Sequence, residues 1–240
     1  MNTVIVIPAR YASTRLPGKP LMDIGGKPMI WWVYEKCKRV SGVAQVIVAT
    51  DSTLISDECK RLGMQYIITA EHHTNHVMRL AEVAESLEAD YYVCVNGDEP
   101  LVDEYNIQEV IPDRVESGMY AGYSIRPLTS IAEATDTSNI KVVRKINGDV
   151  MYLSRMIIPY PKGGGEVQYF KLVGIECFNK RALQFYASTP MSPLERIEDI
   201  DHLRFIEHGI PIHTTIINSE SISVDTPKDL EYVRKMLCNE

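Results

Sequence analysis

Val4–Leu21, VIVIPARYASTRLPGKPL, is the stretch whose reading decides the fold of this chain. Val4 to Pro8 form an apolar run that empties into a loop carrying Arg10, Ser13, Arg15 and Lys19 among Pro17, Gly18 and Pro20. So short an apolar run fits the central strand of a parallel sheet, and ligands of such sheets bind outside the carboxyl ends of the strands. Three cations and a hydroxyl at that place make an anion site. The loop sits where a polyphosphate would lie.

Outward from the loop, Gly25-Gly26 marks a turn and Pro28 suits a first helical turn. Met29, Ile30, Trp32, Val33, Cys37 and Val40 recur at helical spacing. Gln45–Ala49 reads as a strand, Thr50-Asp51 as the cap of a helix over Leu54–Leu62, and Tyr66–Thr69 as a third strand. A helix over Val77–Leu87 precedes the strand Tyr91–Val95, which ends in Asn96-Gly97-Asp98-Glu99-Pro100. This alternation predicts βαβ units and a mainly parallel sheet. Past residue 118 the rhythm changes. Met119–Ile125 is strand-like, and Ile140–Arg144 and Val150–Leu153 flank Asn147-Gly148, a strong hairpin signal. Phe170–Phe178 returns as a strand, Arg181–Ala187 and Leu194–Glu207 as helices, and Ile212–Ile216 as a strand. A last helix opens with Thr226 as cap and Pro227 at its first position. The fold class is α/β, a mainly parallel sheet with an antiparallel excursion.

The 240 residues suffice for one domain with a sizeable core. A net charge of −7 gives no bulk hold on nucleic acid or an anionic membrane, so neither is expected as a partner. Cys37, Cys59, Cys94, Cys177 and Cys238 are odd in number and form no CxxC pair, which argues for reduced thiols and against a disulfide framework or a cysteine zinc site. Residues 1–8 carry no basic segment of the kind that opens a signal peptide, and no apolar run approaches the ~18 residues of a membrane span. A cytoplasmic protein is expected.

Asp98 and Glu99 follow a buried strand at the same sheet edge as the basic loop, and carboxylates so placed suit a hard cation such as Mg²⁺. Asp225 also follows a short strand. Asp98 and Asp225 would hold the cation against phosphates gripped by Arg15 and Lys19, the arrangement that phosphoryl or nucleotidyl transfer needs. Acidic residues after strands are also common as caps and turn formers, and loop arginines as surface charges. The coincidence of separate signals at one sheet edge favours chemistry. His72, His73 and His76 invite a zinc reading, set against solvated or base-contacting histidines. Trp31, Trp32 and Tyr92 read as core.

PARYASTRLPGKPL, GDEP at Gly97–Pro100 and VDTPKDL at Val224–Leu230 resemble the signatures of the 3-deoxy-manno-octulosonate (Kdo) cytidylyltransferases. The similarity continues through IVATD at Ile47–Asp51, RLAEV at Arg79–Val83, YLSR at Tyr152–Arg155 and LERIEDIDHLR at Leu194–Arg204. It implies a Rossmann-like nucleotidyltransferase fold and a single domain over residues 1–240. It also implies a homodimer formed through an antiparallel arm at about residues 119–178. The implied reaction is attack by the anomeric hydroxyl of a sugar acid on the α-phosphate of CTP, with Mg²⁺, for surface polysaccharide synthesis. By matched position Arg10, Ser13, Arg15 and Lys19 would hold the triphosphate, with Arg79 and Asn96 on the nucleotide side. Asp98 and Asp225 would bind Mg²⁺, and Lys19, Asp98 and Arg15 would carry catalysis. Arg155 would lie near the sugar acid.

The departures from that family's pattern fall on two pockets. Asn75-His76-Val77-Met78-Arg79 stands where the family usually has SGTER, and Asn96 where it has Gln. Leu172 and Glu176 replace a His and a Tyr of its KHIGIY segment, and Asp201-His202 replaces a Glu-Gln pair. Cytosine remains the expected base, since Asn96 keeps an amide. The expected acceptor is Kdo or a Kdo-like acid, amino-substituted acids included, contacted by Arg155, Leu172, Glu176, Asp201 and His202. The alternatives are transfer to another sugar acid or a sugar phosphate, and a nucleotide-binding relative without turnover.

Overall fold

A computed structural model describes residues 1–12, 16–218 and 222–238. The opening run is strand β1 (Thr3–Ala9), whose side chains alternate between two apolar layers, Val4 and Val6 into one and Ile5 and Ile7 into the other. Burial on both faces is what helices covering both sides of a central strand produce. A 3₁₀ turn (Lys19–Leu21) leads to a small hairpin, β2 (Asp23–Ile24) and β3 (Lys27–Pro28), turning on Gly25-Gly26, and then to α1 (Met29–Cys37), with Pro28 one residue ahead of the helix. Next come β4 (Val43–Thr50), α2 (Thr53–Arg61), β5 (Tyr66–Ile68), α3 (His76–Ser86), β6 (Tyr91–Val95) and the short α4 (Glu104–Gln108). The cap of α2 is Ser52 rather than Thr50 or Asp51; Thr50 Oγ1 accepts the Ser52 N–H and Asp51 is taken by Arg79.

The excursion follows as β7 (Ala121–Pro127), α5 (Ile131–Thr135), β8 (Lys141–Arg144), β9 (Val150–Ser154) and β10 (Phe170–Phe178). The chain closes with α6 (Lys180–Ser188), α7 (Pro193–Glu198), α8 (Leu203–Glu207), β11 (His213–Ile216) and α9 (Pro227–Cys238). The main sheet runs β11-β7-β10-β6-β1-β4-β5. β6, β1, β4 and β5 are mutually parallel, and β10 lies antiparallel to both β6 and β7, so the sense of the sheet changes at a seam between β6 and β10. Helices α3, α6 and α8 cover one face, and α1, α2 and α4 the other.

The sequence reads as one helix over Leu194–Glu207, but α7 and α8 are separate. Asp199 adopts the left-handed conformation, φ 54°, and breaks the run. The cause is tertiary. Glu195 and Arg204, nine residues apart, would face opposite sides of a straight helix about 13 Å apart along its axis. Here the buried Arg204 guanidinium grips Glu195 through Nε at 2.8 Å and Nη2 at 2.6 Å, which only a folded-back chain allows. Burial works against the ions, and the paired Arg204 overcomes it, holding the Glu195 carboxyl below its ordinary pKa.

A third, smaller cluster joins Leu16, Ile24 and Met29 to Val224, Leu230 and Val233. It fastens α9 beneath the loop that follows β1. Thr226 Oγ1 accepts the Asp229 N–H at 3.3 Å while Asp229 accepts the Thr226 N–H at 2.8 Å, a reciprocal cap at the start of α9. Tyr92 is fully buried; Trp31 and Trp32 are half-buried, edge to face, with the Trp32 indole donating to the Ile24 carbonyl.

Candidate active site

Three segments far apart in sequence meet at the carboxyl ends of β1 and β6, around a cavity of about 390 Å³. Arg10 and Lys19 come from the loop after β1, Asn96 and Asp98 from the turn after β6, and Asp225 from the segment before α9. Lys19 Nζ donates to Asp98 Oδ2 at 2.5 Å and to Asp225 Oδ1 at 3.1 Å. The Val224 N–H donates to the Asp98 carbonyl at 2.9 Å, tying the two acidic segments together through their backbones. Gly97 lets the turn close on β1, because a Cβ there would stand 3.1 Å from the Pro8 carbonyl oxygen. Ser13 and Arg15 lie outside the described residues.

The second oxygen of Asp98, Oδ1, is buried without a hydrogen-bond partner among the described residues. A buried carboxylate oxygen left orphaned beside a second carboxylate is a donor set that fits a hard divalent cation. Lys19 offsets part of the charge of the pair.

Beyond Asp98 and Asp225 the described wall carries two further stretches. On one, Arg79 lies in the wall with its buried guanidinium committed to Thr69 Oγ1 and to Asp51 Oδ2, the latter at 2.6 Å. Asn96 receives a close approach from β10: its N–H donates to the Gly174 carbonyl at 3.1 Å, and the Gly174 N–H donates to Glu99 Oε1 at 3.2 Å. A Cβ on Gly174 would overlap both the Asn96 amide nitrogen and Glu99 Oε1, so this approach requires glycine.

On the other stretch, His76 and Asp201 line the cavity, with Glu176 and His202 buried behind them. The Glu176 carboxylate faces an imidazole with each oxygen, His76 Nε2 at 2.8 Å and His202 Nε2 at 3.2 Å. His76 Nδ1 stands 3.5 Å from Asp201 Oδ2. Burial alone disfavours the charged form of His76, but the facing Glu176 carboxylate more than offsets it and the imidazole pKa rises to about 9. Burial likewise opposes the Glu176 charge, and the two imidazoles overcome it, holding its carboxyl well below the usual range.

The placement of the remaining expected residues is informative. Leu172 is half-buried against the apolar layer on the α3 side rather than among the described residues of the cavity wall. Arg155 is spent on structure: its guanidinium donates to the carbonyls of Glu198, Asp199 and Thr137, and thereby fixes the loop that presents Asp199 and Asp201. His72, His73 and His76 do not converge. His73 turns to Glu82 of α3, and His76 turns the other way to Glu176. Asn75 and Asp199 are wall residues to which the sequence alone assigns no role in the chemistry. Asn75 caps α3 by accepting the Met78 N–H at 3.0 Å, a role its place before the apolar run signals; Asp199 depends on the helix break and carries no local signal. A larger cleft, about 590 Å³, is bordered by Asn106, Arg126 and Tyr232, but its described cation Arg126 is already paired with Glu133 at 2.5 Å.

Residues 4–217 match the family described as Cytidylyltransferase. The chain is 40% identical over 239 residues to the 3-deoxy-manno-octulosonate cytidylyltransferase of Escherichia coli, covering 100% of this chain and 97% of that one. It is 39% identical over 235 residues to the protein of the same name from Fusobacterium nucleatum, covering 97% and 96%. Among solved structures, CMP:2-keto-3-deoxy-manno-octonic acid synthetase complexed with CTP superposes with a TM-score of 0.94 at 39% identity, covering 100% and 99%. A cytidylyltransferase from Leptospira borgpetersenii, 18% identical with a TM-score of 0.64 over 99% and 87%, shares the fold. With the family matched across the sheet that builds the site and the relatives matched from end to end, the chain belongs to the 3-deoxy-manno-octulosonate cytidylyltransferase family.

Proposed function

We propose that this chain transfers CMP from CTP to the anomeric hydroxyl of Kdo or a Kdo-like sugar acid, releasing pyrophosphate, as a step toward a surface polysaccharide. The observation that carries this reading is Lys19 held between Asp98 and Asp225, with Asp98 Oδ1 unsatisfied among the described residues, at the mouth of the parallel strands. Arg10 and Lys19 bind the triphosphate, together with Ser13 and Arg15. Asn96 and Arg79 border the base side. Asp98 and Asp225 would hold Mg²⁺, which when bound would neutralise phosphate charge and acidify the attacking hydroxyl, whose proton would pass to solvent. The acceptor oxygen forms its bond to the α-phosphorus as the bond from that phosphorus to the bridging oxygen breaks. The pyrophosphate carries away the electron pair, and Lys19 offsets the charge that develops.

The acceptor end is presented by His76 and Asp201, with Glu176 and His202 fixing the imidazole from behind. The Asp201 carboxylate in the wall favours an acceptor with an additional hydrogen-bond donor there, a hydroxyl or an amine. Pyrophosphate release with Mg²⁺, each of the four nucleoside triphosphates and a panel of sugar acids including Kdo and its amino analogues tests the reading. Release with CTP and a Kdo-type acid is expected, and silence with CTP across every acid overturns it. The exposed Ile146, Met151, Met156 and Tyr160 in and beside the β8–β9 arm support a homodimer, to be read by light scattering in solution. No helix among the described residues is long and apolar enough to cross a membrane.

A further inference from the structure

Behind the acceptor wall lies a cluster with more donors than its own contacts use. His76, at the first position of α3, Glu176, near the C-terminal end of β10, and His202, just before α8, bring one ligand atom each within 4.8 Å of one another. We propose that these three residues form a second metal site, for a first-row transition cation of the zinc type.

Three independent features of the geometry support the assignment. Two imidazoles and a carboxylate are a donor set that borderline cations prefer and that a hard, oxygen-seeking ion does not. Neighbouring ligands on a tetrahedral zinc are about 3.3 Å apart, given bonds of roughly 2.0–2.2 Å. The two imidazole nitrogens stand 2.8 and 3.2 Å from Glu176, each facing a different carboxylate oxygen, so both already lie within about one ligand-to-ligand spacing of the carboxylate. Next, His76 uses Nε2 toward the cluster and turns Nδ1 to Asp201 at 3.5 Å, the outer carboxylate that orients a ligating imidazole. Last, the buried His202 is badly underused. Its Nε2 approaches Glu176 outside hydrogen-bond geometry, and its Nδ1 has no partner among the described residues. The Tyr123 hydroxyl, whose ring packs 4.2 Å from the His202 ring, is likewise buried without a partner. Orphaned polar atoms gathered around one point indicate a missing ion or solvent. His76 is the member that also lines the cavity, which gives the site its route to the acceptor end.

This site is separate from the Asp98–Asp225 pair in residues and in donor chemistry, and the inference stands whether or not the acceptor assignment does. The full-length chain is stripped with a chelator, held in saturating Mg²⁺ to fill the carboxylate pair, and titrated with Co²⁺ as an optical probe. One Co²⁺ per chain retained through desalting, with a visible absorption band, is expected. His202→Ala weakens that binding by at least ~10-fold and Asp225→Asn leaves it unchanged. If His202→Ala does not fold, His76→Gln at the cavity wall reads the same loss. No Co²⁺ retained by the wild-type chain, or retention lost in Asp225→Asn but kept in His76→Gln, overturns the proposal and leaves the cluster an ion pair of Glu176 with two imidazoles.

Discussion

Lys19→Met separates the two tasks assigned to the lysine, holding phosphate and standing between the metal carboxylates. Both carboxylate oxygens lie within 3.1 Å of one nitrogen. They are therefore within about 6 Å of each other, where two like charges at an effective dielectric of ~20 repel by about 3 kcal/mol. The Asp98 and Asp225 side chains are 26% and 30% exposed, so solvent reduces this to roughly 1–3 kcal/mol. For a chain of this size that is a fall in Tm of about 2–10 °C in the presence of a chelator. Mg²⁺ entering the wild-type site displaces a lysine, whereas in Lys19→Met it relieves bare repulsion. The stabilisation by Mg²⁺ is accordingly larger in the variant. Thermal unfolding of both proteins with chelator and across a Mg²⁺ series measures this directly. Equal Mg²⁺-induced shifts in the two proteins, or no loss of Tm in chelator, would refute the shared-cation account of Lys19, Asp98 and Asp225.

Three further outcomes follow from contacts elsewhere. Gly174→Ala drives a methyl into Asn96 and Glu99, so its effect falls on the nucleotide: KM for CTP rises at least ~10-fold while the fold is kept, and an unchanged KM removes Asn96 from the base side. Arg204→Met strands the buried Glu195 and costs about 3–5 kcal/mol in denaturant unfolding; a loss under ~1 kcal/mol would mean that the clamp does not set the α7–α8 break. The hydrogen bond from Arg126, aided by Thr129, pulls the Glu133 carboxyl down to about 2. A folded-state value below the unfolded one gives stability that is present above pH ~4.5 and lost as pH falls toward ~2. The stability gap between wild type and Glu133→Gln is therefore open at pH 7 and closes across that acid range, as chemical unfolding at stepped pH will show.

The parallel half of the sheet was legible because its signals are local. The apolar run of β1, the caps and the regular strand–helix spacing each occupy a few adjacent residues, and Asp98 announces itself by following a strand, whereas Asp225 stands nine residues past β11 with no strand directly before it among the described residues. Helices α4 and α5 were not seen, since five residues are too few for a period to register. The Asp199 break was hidden for a different reason: LERIEDIDHLR has good helical spacing, and only the Arg204–Glu195 clamp overrides it. The grouping of His76, Glu176 and His202 could not be read from spacing either, because the first two are 100 residues apart and are brought together by sheet topology alone. The adjacency of His72, His73 and His76 raised a zinc reading that spacing alone did not favour, and the structure sends His73 to Glu82 and His76 to Glu176.

The seam between β6 and β10 has a consequence for how such a protein can change. Arg10, Lys19, Asn96, Asp98 and Asp225 come from the parallel side and from the segment before α9, whereas Glu176, Asp201 and His202 belong to the antiparallel side and its helices. Of the residues proposed for the acceptor end only His76 rides on the parallel side, at the start of α3, so that end can be rewritten with a single change there while the rest of the donor end is left alone. A lineage exploring new sugar acids would then keep its triphosphate chemistry intact through every intermediate. Grafting His76, Glu176, Asp201 and His202 between relatives becomes a workable route to exchanging acceptors.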